Sequence, residues 1–402
     1  MTQLPKGLEM DQSDASEAPG ALDGVRIIDL TTVLMGPLAT RMLADHGADV
    51  IRVEAPSAES VTIDGNGLGG LSLNIQRNKR SIKLDLRSEA GSRAMRDLLA
   101  TADVLVTNMR AAALARLGLS ASELTAEYPR LIHCVANGFG SSGPYDGRAA
   151  YDDAIQAASG LAALKQRVDG EPGYSPFVIA DKVCALHIVQ AVMAALIHQR
   201  ATGAGQALEV PMFETMVAFN LIEHFRGAAM EPPKGDIGYA RLLTRHRRPY
   251  RCADGWVALL PYSDANWQDF FILIDRPDLA LDERFSDHDQ RISHIDALYQ
   301  IVSEAAPQRT VTQWIDACND LSIPASPVND LEDLLKDEHL DAVGLLEQTA
   351  HPVHGPYRSV RDPTTYSAMS TRLRFHAPDP GQHTVEVLRE LGWADELIAT
   401  LN

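Results

Sequence analysis

Val25-Arg26-Ile27-Ile28-Asp29-Leu30 reads as a buried strand, Gly36-Pro37-Leu38-Ala39-Thr40-Arg41-Met42-Leu43-Ala44-Asp45-His46-Gly47 as a helix, and Ala48-Asp49-Val50-Ile51-Arg52-Val53-Glu54 as a second strand. Pro37 suits a first helical turn, where its missing N–H would be unpaired in any case. Gly47 suits the position just past the end. Strand, helix and strand within about thirty residues form a βαβ unit. Such a unit pairs its strands in parallel and crosses over with a right hand.

The alternation continues outward. Ser81 to Leu86 reads as a strand, Ala90 to Ala100 as a helix, Val104 to Thr107 as a buried strand, Ser122 to Glu127 as a helix and Leu131 to Val135 as a strand. Val183, Leu186, Ile188, Val189, Val192 and Leu196 recur at helical spacing between Asp181 and Arg200. Thr202-Gly203-Ala204-Gly205-Gln206 stops that helix; Ala207 to Val210 is a strand and Met212 to His224 a helix. At Arg226 the character changes. Gly227 to Arg248 reads as a connection, Arg251 to Pro261 as a hairpin around Asp254-Gly255, and Trp267–Ile274, Ile292–Ala305 and Val311–Asp320 as helices. Helices at Thr384–Leu391 and Ala394–Leu401 close the chain. A chain of 402 residues exceeds one ordinary core. We therefore expect an α/β protein. A large Rossmann-like, doubly wound domain covers 21–225, a smaller α+β domain 226–330, and 331–402 returns to the large domain. Residues 1–20 read as a disordered tail, polar and acidic, without the basic start and apolar stretch of a secretory signal.

The formal net charge of −18 disfavours nucleic acid and anionic membrane as partners. An anionic ligand must therefore find a local basic patch. Arg77 to Arg87 offers one, with five basic residues and one acid. No apolar run reaches the roughly twenty residues that span a bilayer, so no membrane partner is expected. Cys134, Cys184, Cys252 and Cys318 are far apart, with no paired spacing. They read as buried thiols of a reducing, cytoplasmic protein rather than as zinc ligands or disulfides. No metal-ligand spacing and no His-Asp-Ser pattern is present.

The turn Thr31-Thr32-Val33-Leu34-Met35-Gly36-Pro37 holds one glycine. A dinucleotide site needs three, so Glu54, which stands where the ribose-binding acid would, reads as a strand-end acid capping a neighbouring helix. Asp181 heads the long apolar helix and would serve locally as an ordinary N-cap. Asp152 could cap the pattern that begins at Ile155. His133 alternates within a buried strand and reads as structural.

Larger motifs give these acids another reading. They are Leu22 to Leu30, Gly36-Pro37, Gly47 to Glu54, Asn78 to Leu86, Gly138-Phe139-Gly140 with Gly143-Pro144, Ala149-Ala150-Tyr151-Asp152-Asp153-Ala154-Ile155-Gln156-Ala157-Ala158-Ser159-Gly160, Val178 to Lys182, and Gly381-Gln382-His383-Thr384. In this order and spacing the chain resembles the family III CoA transferases, which include formyl-CoA and carnitine CoA transferases and the related α-methylacyl-CoA racemases. The resemblance implies that Asp181 is a covalent nucleophile and that Asp152 is an acid near it, holding a proton or orienting it. CoA would move from an acyl-CoA to a free carboxylic acid through an aspartyl anhydride and an aspartyl-CoA thioester. No metal and no tightly bound cofactor would be needed. The family's CoA contacts fall on Val33, Leu34, Met35, Leu84, Arg87, Asn108, Met109, Arg116 and Met212. Arg87 and Arg116 suit the phosphates. The partner implied is a second copy of the chain, in an interlocked homodimer.

Four departures shape the expectation. Tyr151 replaces the histidine base of the racemases, and a phenol with a pKa near 10 is a poor substitute. Leu34 replaces the glutamine of formyl-transferring members, and Ala55 replaces a basic residue. No run of glycines stands at the connection to the small domain to make the lid found in formyl-CoA transferases. Arg245-His246-Arg247-Arg248 fits either a solvated charge run or a carboxylate site for a diacid. The alternatives are a racemase or epimerase, and a non-catalytic CoA-binding protein.

Overall fold

The computed structural model describes residues 19–58 and 69–401, so the expected tail over 1–20 falls almost wholly outside the described residues. The first elements are β1 (Arg26–Leu30), α1 (Met35–Asp45), β2 (Asp49–Glu54), α2 (Gly70–Ile75), β3 (Lys79–Lys83), α3 (Glu89–Ala100), β4 (Val104–Thr107), α4 (Ala111–Arg116), α5 (Ala121–Glu127) and β5 (Ile132–Asn137). Then come α6 (Asp152–Ala158), α7 (Leu161–Asp169), α8 (Ile179–Thr202), β6 (Gln206–Pro211) and α9 (Met212–His224). The six strands form one parallel sheet in the order β3-β2-β1-β4-β5-β6. The chain winds outward from β1 in one direction, then returns to β4 and winds outward in the other. That is the doubly wound order, with its reversal between β1 and β4.

The chain divides into two compact units. The first takes residues up to Ala158, Pro176–Val217 and everything from His339 on; the second takes Ser159–Ser175 and Ala218–Glu338. The core on one face of the large sheet is built from Ile28, Ile51, Ile82 and Leu105 with Met95, Leu98 and Leu124 of the covering helices. Val387 and Leu388 of the C-terminal helix Thr384–Glu390, Trp393 of the turn after it and Ile398 of the last helix, Asp395–Ile398, complete it. These helices reach the edge strand β3, where Gly381 N–H donates to the Ser81 hydroxyl at 2.8 Å and His383 N–H to the Ser81 carbonyl at 2.8 Å. A hairpin, Leu346–His351 with Gly355–Val360, occupies a stretch whose sequence carries no clean alternation. In the second unit Tyr250–Arg251, Trp256–Leu259 and Ala325–Pro327 pair antiparallel. Helices pack there around Phe270, Leu298, Tyr299 and Trp314. The single helix expected over Ile292–Ala305 is two, because Asp287 caps a separate turn, His288–Ser293.

Two expectations are corrected. The apolar helix α8 is 24 residues long and is long and apolar enough, by length and composition, to cross a membrane. Here it packs against α1, β5 and β6. Glu54 caps no helix among the described residues; it accepts the Ser81 hydroxyl and pairs with Arg52 at 3.0 Å.

Charge inside the first βαβ unit is paired. Asp29 on β1 and Lys79 on β3 are wholly buried, with Lys79 Nζ 3.0 Å from Asp29 Oδ2. Burial works against the Asp29 charge, yet Lys79 and the Thr31 and Thr40 hydroxyls hold its pKa below the ordinary carboxylate value. Burial draws the Lys79 ammonium down to about 8, against the pull of Asp29. Removing one partner strands the other in a dry site, which costs about 3–5 kcal/mol. Lys79→Met is expected to lose that much in urea titrations. Lys79→Met with Asp29→Asn is expected to lose less than the sum of the single changes, and additivity would show the pair to be uncoupled.

Candidate active site

Ligands of doubly wound sheets bind beyond the carboxyl ends of the strands, where the winding reverses. Here that place lies between the turns that follow β1 and β4. Asn108 joins them, its Oδ1 accepting the Thr32 N–H at 3.0 Å and its Nδ2 donating to the Thr32 carbonyl at 2.9 Å. Thr107 adds a hydroxyl bond to the Leu30 carbonyl at 3.2 Å. Gly36 is required by a close approach, since a Cβ there would stand 2.4 Å from the Thr31 side chain. Val33 sits in this turn with φ of 70° and 66% exposed. A β-branched residue in the left-handed region is strained, and such strain concentrates at functional sites.

Two cavities flank the junction, of about 740 and 600 Å³. The larger is lined by Val33, Asn108, Met109 and Tyr151, the smaller by Leu84, Arg87 and Met109. Five of the nine residues singled out for CoA contact thus meet at one place, although they come from three separate stretches. The other four do not line either cavity. Leu34 and Met35 are buried at the start of α1, Met212 is buried at the start of α9, and Arg116 is exposed on α4 with its Nε donating to the Ala112 carbonyl at 3.2 Å. The basic segment 77–87 is largely consumed by the fold. Arg77 pairs with Asp45 at 2.8 Å, Lys79 with Asp29, and Arg80 with Asp49 at 2.7 Å and Glu390 at 2.6 Å. Lys83 and Arg87 are the basic residues of the segment left without a carboxylate partner among the described residues.

The two acids come together across 29 positions of sequence. Asp181 is the third residue of α8, whose N-cap, Val178, offers no side-chain acceptor. The Asp152 carboxylate, at the head of α6, supplies it, with Oδ2 accepting the Asp181 N–H at 3.0 Å. Its Oδ1 accepts from Gln156 Nε2 at 2.6 Å. Local reading makes Asp181 the cap of its own helix and Asp152 a cap for the segment at Ile155. Instead Asp152 caps α8 and Asp181 is what it caps. The Asp181 side chain is half-buried, and burial followed by the Asp152 charge pushes its pKa up to about 6. One turn on, burial raises the Cys184 thiol to about 12, so it stays protonated. His133 is fully buried, and burial lowers its pKa to about 4, which keeps it neutral. Sequence reasoning misses Gln156; its spacing of four from Asp152 is the signal that could have found it. It misses Arg148 too, stacked 4.0 Å from the Tyr145 ring in the wall of the larger cavity.

Residues 22–384 match the sequence profile of CoA-transferase family III. The chain belongs to CoA-transferase family III. It is 32% identical to the succinate–glutarate CoA-transferase of Agrobacterium fabrum, over 92% of this chain and 95% of that one. It is 29% identical to the formyl-CoA:oxalate CoA-transferase of Rhodopseudomonas palustris, over 95% and 96%. Among solved structures, the orthorhombic form of Rv3272 from Mycobacterium tuberculosis superposes with a TM-score of 0.79 at 26% identity, over 92% of this chain and 99% of that one. A CAIB/BAIF family protein from Brucella suis superposes with a TM-score of 0.76 at 28% identity, over 93% and 100%. As a family III CoA-transferase the chain is an enzyme whose substrates are CoA thioesters.

The Asp181 shift has a consequence for stability. The folded state of this CoA-transferase holds the Asp181 proton more tightly than the unfolded chain does, so stability falls as pH rises from 3.8 towards 6. Two pKa units are worth roughly 2–3 kcal/mol, while a negative charge in a first helical turn returns only about 0.3–1 kcal/mol. Asp181→Asn is therefore expected to raise the urea midpoint at pH 7, with the gain gone at pH 3.5. A lower midpoint at pH 7 would show that Asp181 is held as a structural charge.

Proposed function

We propose that this CoA-transferase moves CoA from an acyl-CoA to a free carboxylic acid by covalent catalysis at Asp181. The reading is carried by one observation. The Asp181 backbone N–H is satisfied by Asp152, while its own carboxylate oxygens have no hydrogen-bond or ion-pair partner among the described residues. A half-buried, poorly solvated carboxylate with a pKa of about 6 is still ionised at neutral pH and is a stronger nucleophile than one in water.

An Asp181 oxygen adds to the thioester carbonyl, the C–S bond breaks, and CoA leaves as the thiolate, giving an acyl-aspartyl anhydride. The thiolate then adds to the Asp181 carbonyl and expels the donor acid as its carboxylate, giving the aspartyl-CoA thioester. The acceptor carboxylate adds to that thioester and releases the thiolate again. The thiolate finally attacks the acceptor's carbonyl, forming the new acyl-CoA and restoring the Asp181 carboxylate. The net reaction exchanges one CoA thioester for another of similar energy, so no ATP and no net proton is consumed.

The crevice at the β1/β4 reversal supports the placement of CoA along Val33, Asn108 and Met109, with Arg87 toward the phosphates. Leu34, Met35, Arg116 and Met212 would act from behind this surface or after a side-chain movement. The acids proposed are dicarboxylates, on the strength of the relative named for succinate and glutarate. Leu34, in place of glutamine, argues against formyl-CoA and oxalate as the natural pair. The active unit proposed is an interlocked homodimer. Leu186 and Ile197 on α8 support it, as large apolar side chains 58% and 70% exposed.

Four measurements test this. Incubation with a panel of acyl-CoAs, including succinyl- and glutaryl-CoA, followed by hydroxylamine is expected to mark Asp181 by mass spectrometry. Asp181→Ala is expected to abolish exchange of labelled acid into acyl-CoA, and retained exchange would end the reading. The rate of adduct formation should rise with pH through about 6, since the carboxylate must be ionised to attack. A midpoint near 4 would mean that Asp181 is solvated during turnover. Light scattering should give a dimer mass that dilution does not halve; a monomer mass would refute the assembly.

A further inference from the structure

We propose that Gln156 is a positioning residue for the nucleophile: its side-chain amide holds the Asp152 carboxylate in the orientation that fastens the first turn of α8. The proposal rests on the reading of Asp181 given above and adds a residue that the reaction itself does not require.

Gln156 lies one helical turn beyond Asp152 on α6, on the face that packs against α8. It is completely buried. Its Nε2 donates to Asp152 Oδ1 at 2.6 Å and lies 3.5 Å from the Phe177 carbonyl, on the turn that leads into α8. One amide thus reaches both the carboxylate that caps α8 and the chain that enters it. Asp152 is itself buried, so each of its oxygens needs a donor. One is given by the Asp181 backbone and the other by Gln156.

The chemistry explains why an amide suits this position. Among the described residues, the Asp152 charge acts on Asp181 and Cys184, both on α8, and Thr215 from α9 faces Cys184 as a hydroxyl. Without a neutral donor, Asp152 would satisfy its second oxygen by turning away from α8 or by sharing a proton with Asp181. Two carboxyl groups that share one proton leave one of them neutral. Either outcome takes charge or alignment from the attacking group. Gln156 donates a hydrogen bond to the Asp152 anion and has no proton to give up at working pH. It therefore keeps the Asp152 carboxylate turned to the Asp181 N–H.

The test uses the full-length enzyme, with the acyl-CoA that labels Asp181 best in the panel above. Gln156→Leu is expected to lower kcat about 10–100-fold while KM for acyl-CoA stays within about twofold, as for a misplaced reactive group. Gln156→Glu separates positioning from packing, because the new side chain fills the same space. Protonated, the introduced carboxyl donates to Asp152 and supports activity; ionised, it repels Asp152 and releases the cap. The kcat profile of Gln156→Glu should thus gain a falling limb at alkaline pH that the wild type lacks. This readout compares one variant with itself across pH, so it holds even where Gln156→Leu folds poorly. A Gln156→Glu profile matching the wild type, or a Gln156→Leu defect lying in KM alone, overturns the proposal. A wild type that forms no adduct on Asp181 overturns the nucleophile reading and this one together. An adduct with an unchanged Gln156→Glu profile overturns this one alone.

Discussion

An ammonium and a carboxylate, both wholly out of water, fix the first crossover of the sheet. Asp29 accepts from Lys79, Thr31 and Thr40 at once, and so ties β1 to the edge strand β3, to its own exit turn and to the helix that follows. A hydrophobic trio of the same volume would fill this space at less risk, because each buried charge depends on its partner. What the polar set adds is direction. The Asp29 oxygens define where Thr31 and α1 must lie, and Thr31 in turn admits only glycine at position 36. The turn between them has little freedom left. Val33 is held in a conformation it would not choose, at the point where the winding reverses.

The same logic governs the second half of the site, with the sign reversed. At Asp29 the surroundings favour the charged form; at Asp181 burial and the Asp152 charge disfavour it. A protein selected only for stability would replace Asp181 or give its oxygens donors. Here the donors go to Asp152, and Asp181 is left with a carboxylate that no described neighbour satisfies. The contrast separates a carboxylate held by its partners from one left without any, and a carboxyl perturbed by burial and a like charge is a functional-site candidate.

Much of the architecture is legible in the sequence because the two periods of the sheet layer are strong. Strands β1, β2, β4 and β5 carry short apolar runs, and helices α1, α3, α8 and α9 carry capping or breaking residues close to their observed ends. The strand at Ser81–Leu86 lies earlier, at Lys79–Lys83, because Lys79 reads as a surface residue until its buried partner Asp29 is known. Helices α2 and α4 hold six residues each, too few for a period to show. The hairpin at 346–360 is stabilised by pairing within the unit rather than by alternation. At the site, the family motifs point to Asp152 and Asp181, but their relation is geometric. A cap supplied from 29 residues away leaves no local trace, and so each acid read alone looks like the cap of its own helix.

Net charge raises the final physical question, how a chain at −18 receives a ligand that carries several phosphate charges. A count of basic residues over 77–87 suggests a ready patch, yet Arg77, Lys79 and Arg80 neutralise Asp45, Asp29, Asp49 and Glu390 within the fold. Their positive charge is spent locally and projects little field. What remains at the smaller cavity is Arg87, which has no carboxylate partner among the described residues. At the larger one are Arg110 and Arg148, with Glu209 already turned to Asn137 and Ser141. In the linings Glu209 and Glu54 are engaged in internal hydrogen bonds and Arg52 is paired with Glu54, while Asp146 lines the larger cavity together with Arg110 and Arg148. Because the Debye length is about 8 Å at physiological ionic strength, the distant surface acids are screened from the crevice and these near groups decide its potential. In an acidic chain, arginine placement near a crevice, rather than arginine number, governs the local potential.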